Sequence, residues 1–242
     1  MSAKKRERDL PSGSRGPQPA SPYSPREIAR SIDQTLLKPY ATEADIIRLC
    51  KGAIRYRFHS VCVHPYFVPL CKAVLTGYDI SVATVIGFPL GMSLKSIKVY
   101  EAMQAVLYGA QELDIVLNLG AVKSGNWDFV EKELREVINS SPAVLHKIIL
   151  ETCYLTAEEK RAAAAVAVAC GARFVKTSTG FGGKGATVAD VKLLKEVVQG
   201  RAEVKASGGI RTLAQTVRFL RAGATRIGTS AGVEIMQEAL PQ

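Results

Sequence analysis

Histidine is scarce in this 242-residue sequence, with three at positions 59, 64 and 146 and no HxH or HExxH pair among them. A metal centre would have to be assembled from carboxylates and thiols far apart in the chain, so no metal site is expected. The five cysteines (50, 62, 71, 153 and 170) include no CxxC pair. An odd number of scattered thiols points to reduced side chains in the cytoplasm rather than to a disulfide framework. No stretch approaches the roughly 20 apolar residues of a membrane span. The longest candidate, residues 162–172, is short and dominated by alanine, so a soluble protein without a membrane partner is expected. Also missing is a GxGxxG turn after the first β-rich run, which counts against an open dinucleotide-binding sheet.

What is present suits one sizeable core. The chain is 47% hydrophobic and 22% charged, and β/α barrels of this length commonly form a single domain. The net charge is +10, to which residues 1–25 contribute five basic and two acidic side chains. Residues 1–24 are rich in Pro, Ser, Gly and charge and hold little to bury, so they are expected to be a disordered basic tail ahead of a domain spanning 25–242. The remaining positive charge is diluted over a large surface. It suits a protein that handles phosphorylated anions, and no nucleic-acid partner is expected from it.

From residue 24 onward, short β-rich runs alternate with longer segments of helical periodicity. The runs fall at 30–33, 59–63, 80–86, 112–117, 145–151, 174–176, 202–205 and 225–228. Helices are expected to begin near Thr42, Pro65, Leu94, Trp127, Thr156, Thr187, Thr212 and Ser230, several of which open on a hydroxyl suited to N-capping. Eight strands and eight helices in strict alternation predict a closed (β/α)8 TIM barrel, an α/β fold, with a short extra helix over 25–30 covering one end.

Active sites of such barrels gather at the C-terminal ends of the strands. On this reading strand one ends in Asp33, strand four carries Asp114, strand five ends in Glu151, strand six in Lys176 and strand seven in Lys205. Lys176 and Lys205 follow apolar residues on neighbouring strands, which lie about 4.8 Å apart. Two ammonium groups in one pocket repel, and one of them is expected to lose its proton near neutral pH and attack carbonyl carbon. Glycine-rich loops follow strands six, seven and eight: Thr177 to Gly185 (containing Thr179 and Gly180), then Ser207-Gly208-Gly209, then Gly228-Thr229-Ser230. Clustered glycines and hydroxyls at these positions point to a phosphate site. The 85–91 segment could form a wall of the pocket, and Cys62 and His64 near the end of strand two could touch substrate; packing for the thiol and solvent for the imidazole are the plainer readings.

Six separated segments together resemble the deoxyribose-phosphate aldolase family. They are IDQTLLKP at 32–39, VIGFPLG at 85–91, ELD at 112–114, FVKTSTGF at 174–181, VKASGGIRT at 204–212 and RIGTS at 226–230. The resemblance implies a cofactor-free, Schiff-base enzyme that reversibly cleaves 2-deoxy-D-ribose 5-phosphate to acetaldehyde and D-glyceraldehyde 3-phosphate. It implies Lys176 as the imine-forming residue, with Asp114 and Lys205 relaying protons. Asp33 and Thr35 would lie near the substrate hydroxyls, and Gly180, Gly208, Gly209, Thr229 and Ser230 would hold the phosphate. A homodimer or homotetramer is implied as well. Gln34 stands where many relatives have histidine, which removes a titrating group. Some longer relatives close the site with a tyrosine-bearing C-terminal tail, and this sequence, ending at Gln242, shows none.

Other readings stay open on the residues alone. A phosphate-binding barrel isomerase, or another Schiff-base aldolase acting on a ketose phosphate, would share the fold and the phosphate loops. A nucleic-acid or regulatory protein would instead depend on the basic tail.

Overall fold

A computed structural model describes residues 21–240; of the disordered tail expected at residues 1–24, residues 1–20 lie outside the described residues, and Ser24 caps the first helix. Eight parallel strands pair in sequence order and close, β8 onto β1, into a barrel. They are β1 (Ile32–Leu36), β2 (Ser60–Val63), β3 (Ser81–Ile86), β4 (Glu112–Val116), β5 (Leu145–Ile149), β6 (Phe174–Lys176), β7 (Glu203–Ser207) and β8 (Arg226–Thr229). The helices around them are α1 (Pro25–Ser31), α2 (Glu43–Tyr56), α3 (Val68–Val74), α4 (Lys95–Leu107), α5 (Leu119–Lys123), α6 (Trp127–Asn139), α7 (Ala157–Ala169), α8 (Val188–Val198), α9 (Leu213–Arg221) and α10 (Gly232–Ala239).

The helix starts follow the local chemistry. Thr42, Thr156, Thr187 and Thr212 each accept a hydrogen bond from the backbone amide three residues on. Three of these ends are closed reciprocally by Asp45, Glu159 and Gln215. The same chemistry corrects the first strand. Ser24 and Glu27 form a capping box and Pro25 takes the first turn, so the helix runs on through Arg30 to Ser31. The strand consequently begins at Ile32 and ends at Leu36, leaving Asp33 near its start. Strand five stops at Ile149, because Glu151 adopts a left-handed backbone, φ 51°, ahead of a short 3-10 turn. Strand seven runs two residues past Lys205 to Ser207. The short α5 was not foreseen; Asn118 caps it by accepting from the Ala121 amide.

Alternation along each strand divides the side chains between two environments. Leu113 and Ile115, Val175, Val204 and Ala206, and Ile227 point outward into the apolar layer beneath the helices. Asp114, Lys147, Lys176 and Lys205 point into the barrel, where they are bonded to one another. A second, small apolar cluster, Leu37, Cys62, Ala83 and Val85 with Phe88 against it, belongs to the β1–β3 side.

His146 faces the outer layer and bonds to the Ser141 hydroxyl at 2.8 Å. Burial, with a smaller effect of Lys147, pushes its pKa down from 6.5 to about 4. Below pH 6.5 the unfolded chain therefore takes up a proton that the folded chain refuses, and stability falls as the pH drops toward 4. Urea unfolding across this window is expected to show a loss of up to about 3 kcal/mol that the His146→Gln variant lacks, with the two proteins running parallel above it.

Candidate active site

Three buried carboxylates and four buried cations fill the barrel interior. The ammonium of Lys147 lies 2.6 Å from Glu112 and 2.8 Å from Asp114. Lys205 lies 2.5 Å from Asp33 and 2.8 Å from Asp114. Arg226 bonds to Asp33 and, at 3.0 Å, to Glu112. Each of these cations thus bridges a different pair of carboxylates, and the triangle is charge-balanced as it stands. Lys176 is the fourth cation. Its single carboxylate contact, 2.7 Å, is to the Oδ2 atom of Asp114 that Lys205 already holds.

That arrangement decides which lysine loses its proton. Burial disfavours charge on Lys176, the Lys205 ammonium beside it adds to the effect, and Asp114 only partly offsets them, so the Lys176 pKa is lowered. Burial acts on Lys205 in the same sense, but Asp114 and Asp33 outweigh it and hold that amine protonated. Asp114 is kept well below the usual carboxylate range, against its burial, by Lys147, Lys176 and Lys205. The Cys62 thiol, pushed up to about 11 by burial and by Asp114, stays protonated.

Above this network opens a cavity of about 210 Å³. Of the residues singled out in the sequence, Thr35, Lys176, Thr179, Gly180, Gly208, Gly209, Thr229 and Ser230 line it. Asp33, Asp114, Lys205 and Cys62 are fully buried and lie outside the lining, Asp33 because its strand begins and ends later than expected, which leaves it near the strand's start. Lys38, Phe181 and Arg211 also line the cavity.

The glycine loops are fastened together by side chains. The Ser207 hydroxyl donates to the Ser178 carbonyl at 2.5 Å, and the Thr229 hydroxyl to the Ile210 carbonyl at 2.6 Å. Gly208 has φ 88°, and a Cβ on Gly185 would lie 2.1 Å from the Gly208 carbonyl oxygen, so the two loops can approach this closely only as glycines. Buried Glu151 anchors the loop after β6 by accepting from the Thr179 amide at 3.2 Å and from its hydroxyl. Gln34 reaches outward across the β1–β8 seam, donating to the Ser230 carbonyl at 3.2 Å and accepting from the Gly232 amide at 2.9 Å. On the opposite wall, Phe88 meets Phe181 edge to face at 5.2 Å.

Lys147, Glu112 and Arg226 were not singled out from the sequence. Lys147 sits in the middle of β5, so reading strand ends passes over it, although alternation from Ile149 places it inside. Among the described residues, no group of three or more His, Cys, Asp or Glu side chains is placed to hold a metal ion.

Removing the Lys205 charge is expected to raise the Lys176 pKa, because a repelling neighbour is gone. In Lys205→Met the acidic limb of the rate profile for imine formation should move to higher pH, and an unmoved limb would mean that burial alone sets the Lys176 pKa. Lys147→Met should lower folding stability by about 3–5 kcal/mol, measured by denaturant, by leaving Glu112 and Asp114 short of a partner.

Comparison with known proteins identifies the family and the fold. Residues 28–238 match the family model described as DeoC/LacD family aldolase. The deoxyribose-phosphate aldolase of Carboxydothermus hydrogenoformans is 53% identical over 88% of this chain and 96% of its own length. Among solved structures, the aldolase QR15 superposes with a TM-score of 0.84 at 45% identity, covering 87% of this chain and 95% of that one. The tetrameric deoxyribose phosphate aldolase of Aeropyrum pernix gives 0.83 at 33% identity, over 88% and 91%. With a family model spanning nearly the whole described barrel and relatives above half identity over most of their length, the chain belongs to the DeoC/LacD family of aldolases.

Proposed function

We propose that this chain catalyses the reversible cleavage of 2-deoxy-D-ribose 5-phosphate to acetaldehyde and D-glyceraldehyde 3-phosphate, with Lys176 as the imine-forming amine. The observation that carries the reading is the position of Lys176. It is the interior cation outside the balanced triangle, its pKa is lowered, and it lines the cavity. As a neutral amine it attacks the C1 aldehyde of the open-chain sugar, and loss of water leaves a protonated imine. Removal of the C3 hydroxyl proton then breaks the C2–C3 bond, and the electron pair passes into the imine as an enamine. Asp114 and Lys205, buried directly behind the imine nitrogen, relay that proton through a water to C2. A second water hydrolyses the resulting imine and frees acetaldehyde.

Binding follows from the two sides of the mouth. The glycine loops after β6, β7 and β8, with the N-terminus of α10 just beyond Ser230, receive the phosphate. Lys38 and Arg211, both exposed on the cavity rim, supply charge for it. Leu36 and Leu37, the apolar side chains that line the cavity beside Thr35, suit the two-carbon fragment, whereas a ketose phosphate donor would need polar partners there. The cycle uses no cofactor, and the small sugar phosphate is the partner that the site requires.

No described helix is long and apolar enough to cross a membrane, and from the sugar phosphate substrate we infer a cytoplasmic enzyme. We also infer a homo-oligomer, by analogy with the tetrameric Aeropyrum pernix enzyme.

Borohydride reduction in the presence of acetaldehyde is expected to leave a two-carbon adduct on Lys176 alone, located by peptide mass mapping, and Lys176→Ala should give neither adduct nor turnover. An adduct elsewhere would reassign the imine. Lys38→Ala and Arg211→Ala should each raise KM for the phosphorylated sugar roughly tenfold, the loss of one charge-assisted contact. The same variants should leave kcat and the cleavage of unphosphorylated 2-deoxyribose unchanged; a fall in kcat instead would mean that these side chains act on the chemistry.

A further inference from the structure

The reactive amine is almost out of reach. Lys176 is 2% exposed, and the cavity it lines, about 210 Å³, is smaller than the roughly 300–1,000 Å³ of ordinary ligand sites. A sugar phosphate that meets this amine needs part of the mouth to move, and the part that moves then stands over the bound substrate.

Aromatic contacts show which part. Phe88 follows β3 and packs on Leu37, Cys62, Ala83 and Val85. His64, after β2, meets Phe88 edge to face at 5.7 Å and bonds through Nε2 to the Leu37 carbonyl at 3.0 Å. These contacts join neighbours along the rim. The next one crosses it: Phe88 meets Phe181, on the loop after β6, at 5.2 Å and 85°, although β3 and β6 stand three places apart in the ring of eight. The pair spans the side of the mouth below which β4 and β5 send Asp114 and Lys147 inward, both fully buried.

The two rings are held differently. Phe88 is half-buried against the small apolar cluster, whereas Phe181 is 53% exposed. On its N-terminal side Phe181 is tethered, its amide donating at 3.0 Å to the Thr179 hydroxyl that Glu151 holds. On its C-terminal side come Gly182, Gly183 and Gly185, and a side chain on Gly183 would meet nothing within 4 Å. Glycine supplies the backbone freedom for Phe181 to turn while Thr179 and Gly180 keep their places.

We propose that Phe181 swings off Phe88 to admit substrate and returns, so that the two rings close over Lys176 and shield the enamine from bulk water. This rests on the imine reading above. The enamine carbon takes a proton from any donor that reaches it, and each such event in the direction of bond formation returns acetaldehyde instead of joining two aldehydes. Two phenyl rings exclude water without offering a proton themselves, which leaves the buried relay of Asp114 and Lys205 as the donor.

The test is run in D2O with acetaldehyde and D-glyceraldehyde 3-phosphate, and NMR compares deuterium entering the acetaldehyde methyl group with 2-deoxyribose 5-phosphate formed. A deuteron taken by the enamine carbon regenerates the imine, and hydrolysis then frees acetaldehyde carrying one deuterium. Phe181→Ala and Phe88→Ala should each raise the ratio of exchange to bond formation several-fold. The double variant should raise it no further, because both single changes break the same contact. Phe181→Leu, which keeps apolar bulk over the site, should recover most of the wild-type ratio, an effect that a general loss of structure would not produce. Circular dichroism checks each fold, and the two variants of exposed Phe181 decide the matter if Phe88→Ala does not fold. An unchanged ratio in Phe181→Ala, or independent effects that multiply in the double variant, overturns the shield and leaves the aldolase reading standing. A wild type that neither exchanges the methyl protons nor forms the sugar phosphate overturns both.

Discussion

Three ammonium groups converge on the Asp114 carboxylate, at 2.7, 2.8 and 2.8 Å, inside a barrel closed to solvent at that depth. Burying a lone carboxylate costs several kcal/mol, and its ion pairs must return that energy. Here the return is organised over six of the eight strands. Asp114 on β4 is joined to Lys147 on β5, Lys176 on β6 and Lys205 on β7. Lys205 then reaches Asp33 on β1, and Arg226 on β8 joins Asp33 to Glu112. An apolar filling of equal volume would be at least as stable, so the network is better understood through the amine it leaves over. Three carboxylates and three bridging cations balance, and a fourth cation placed among them is pressed toward neutrality. The lowered Lys176 pKa therefore comes first from its burial and then from the Lys205 ammonium, which Asp33 and Asp114 hold charged beside it, while the shared Asp114 offsets only part of both.

Barrel closure turns this electrostatic arrangement into a directional one. Lys176 and Lys205 are register partners on adjacent strands, so their side chains enter the interior at one level. The cavity above them then has two unlike flanks. Leu36 and Leu37 come from the end of β1, and glycine loops bound to one another by serine and threonine hydroxyls come from the β6–β8 side. A substrate with an anionic end and a plain two-carbon end can lie across Lys176 in one orientation, which is the requirement for cleaving one particular carbon-carbon bond.

Much of this was legible in the sequence because it depends on short-range pattern. Alternation of apolar runs and capped helices predicted eight strands in order, and Lys176, Lys205 and Asp114 stood out as charges at or near the ends of apolar strands. The misplaced first strand has a local cause too. Ser24-Pro25 with Glu27 is a helix start, and giving residues 25–31 their full helix moves Asp33 from the mouth to the floor of the site. Lys147 and Arg226 escaped notice for a different reason. Their partners lie on other strands, as far as 193 residues away in the chain for Arg226 and Asp33, and such pairs exist only once the sheet has closed on itself.

The Gln34 bridge carries a consequence for the order in which the molecule can become competent. Ser230 and Gly232, on the loop after the last strand, are pinned by a side chain of the first strand, nearly 200 residues earlier in the chain. The interior charges close across the same seam, where Arg226 on β8 bonds to Asp33 on β1. Docking of the last strand on the first therefore completes the anion-receiving loop and the ring of charges behind the amine together, so that a nascent chain would gain its grip on substrate and its reactive amine in one step, with the last segment to be synthesised.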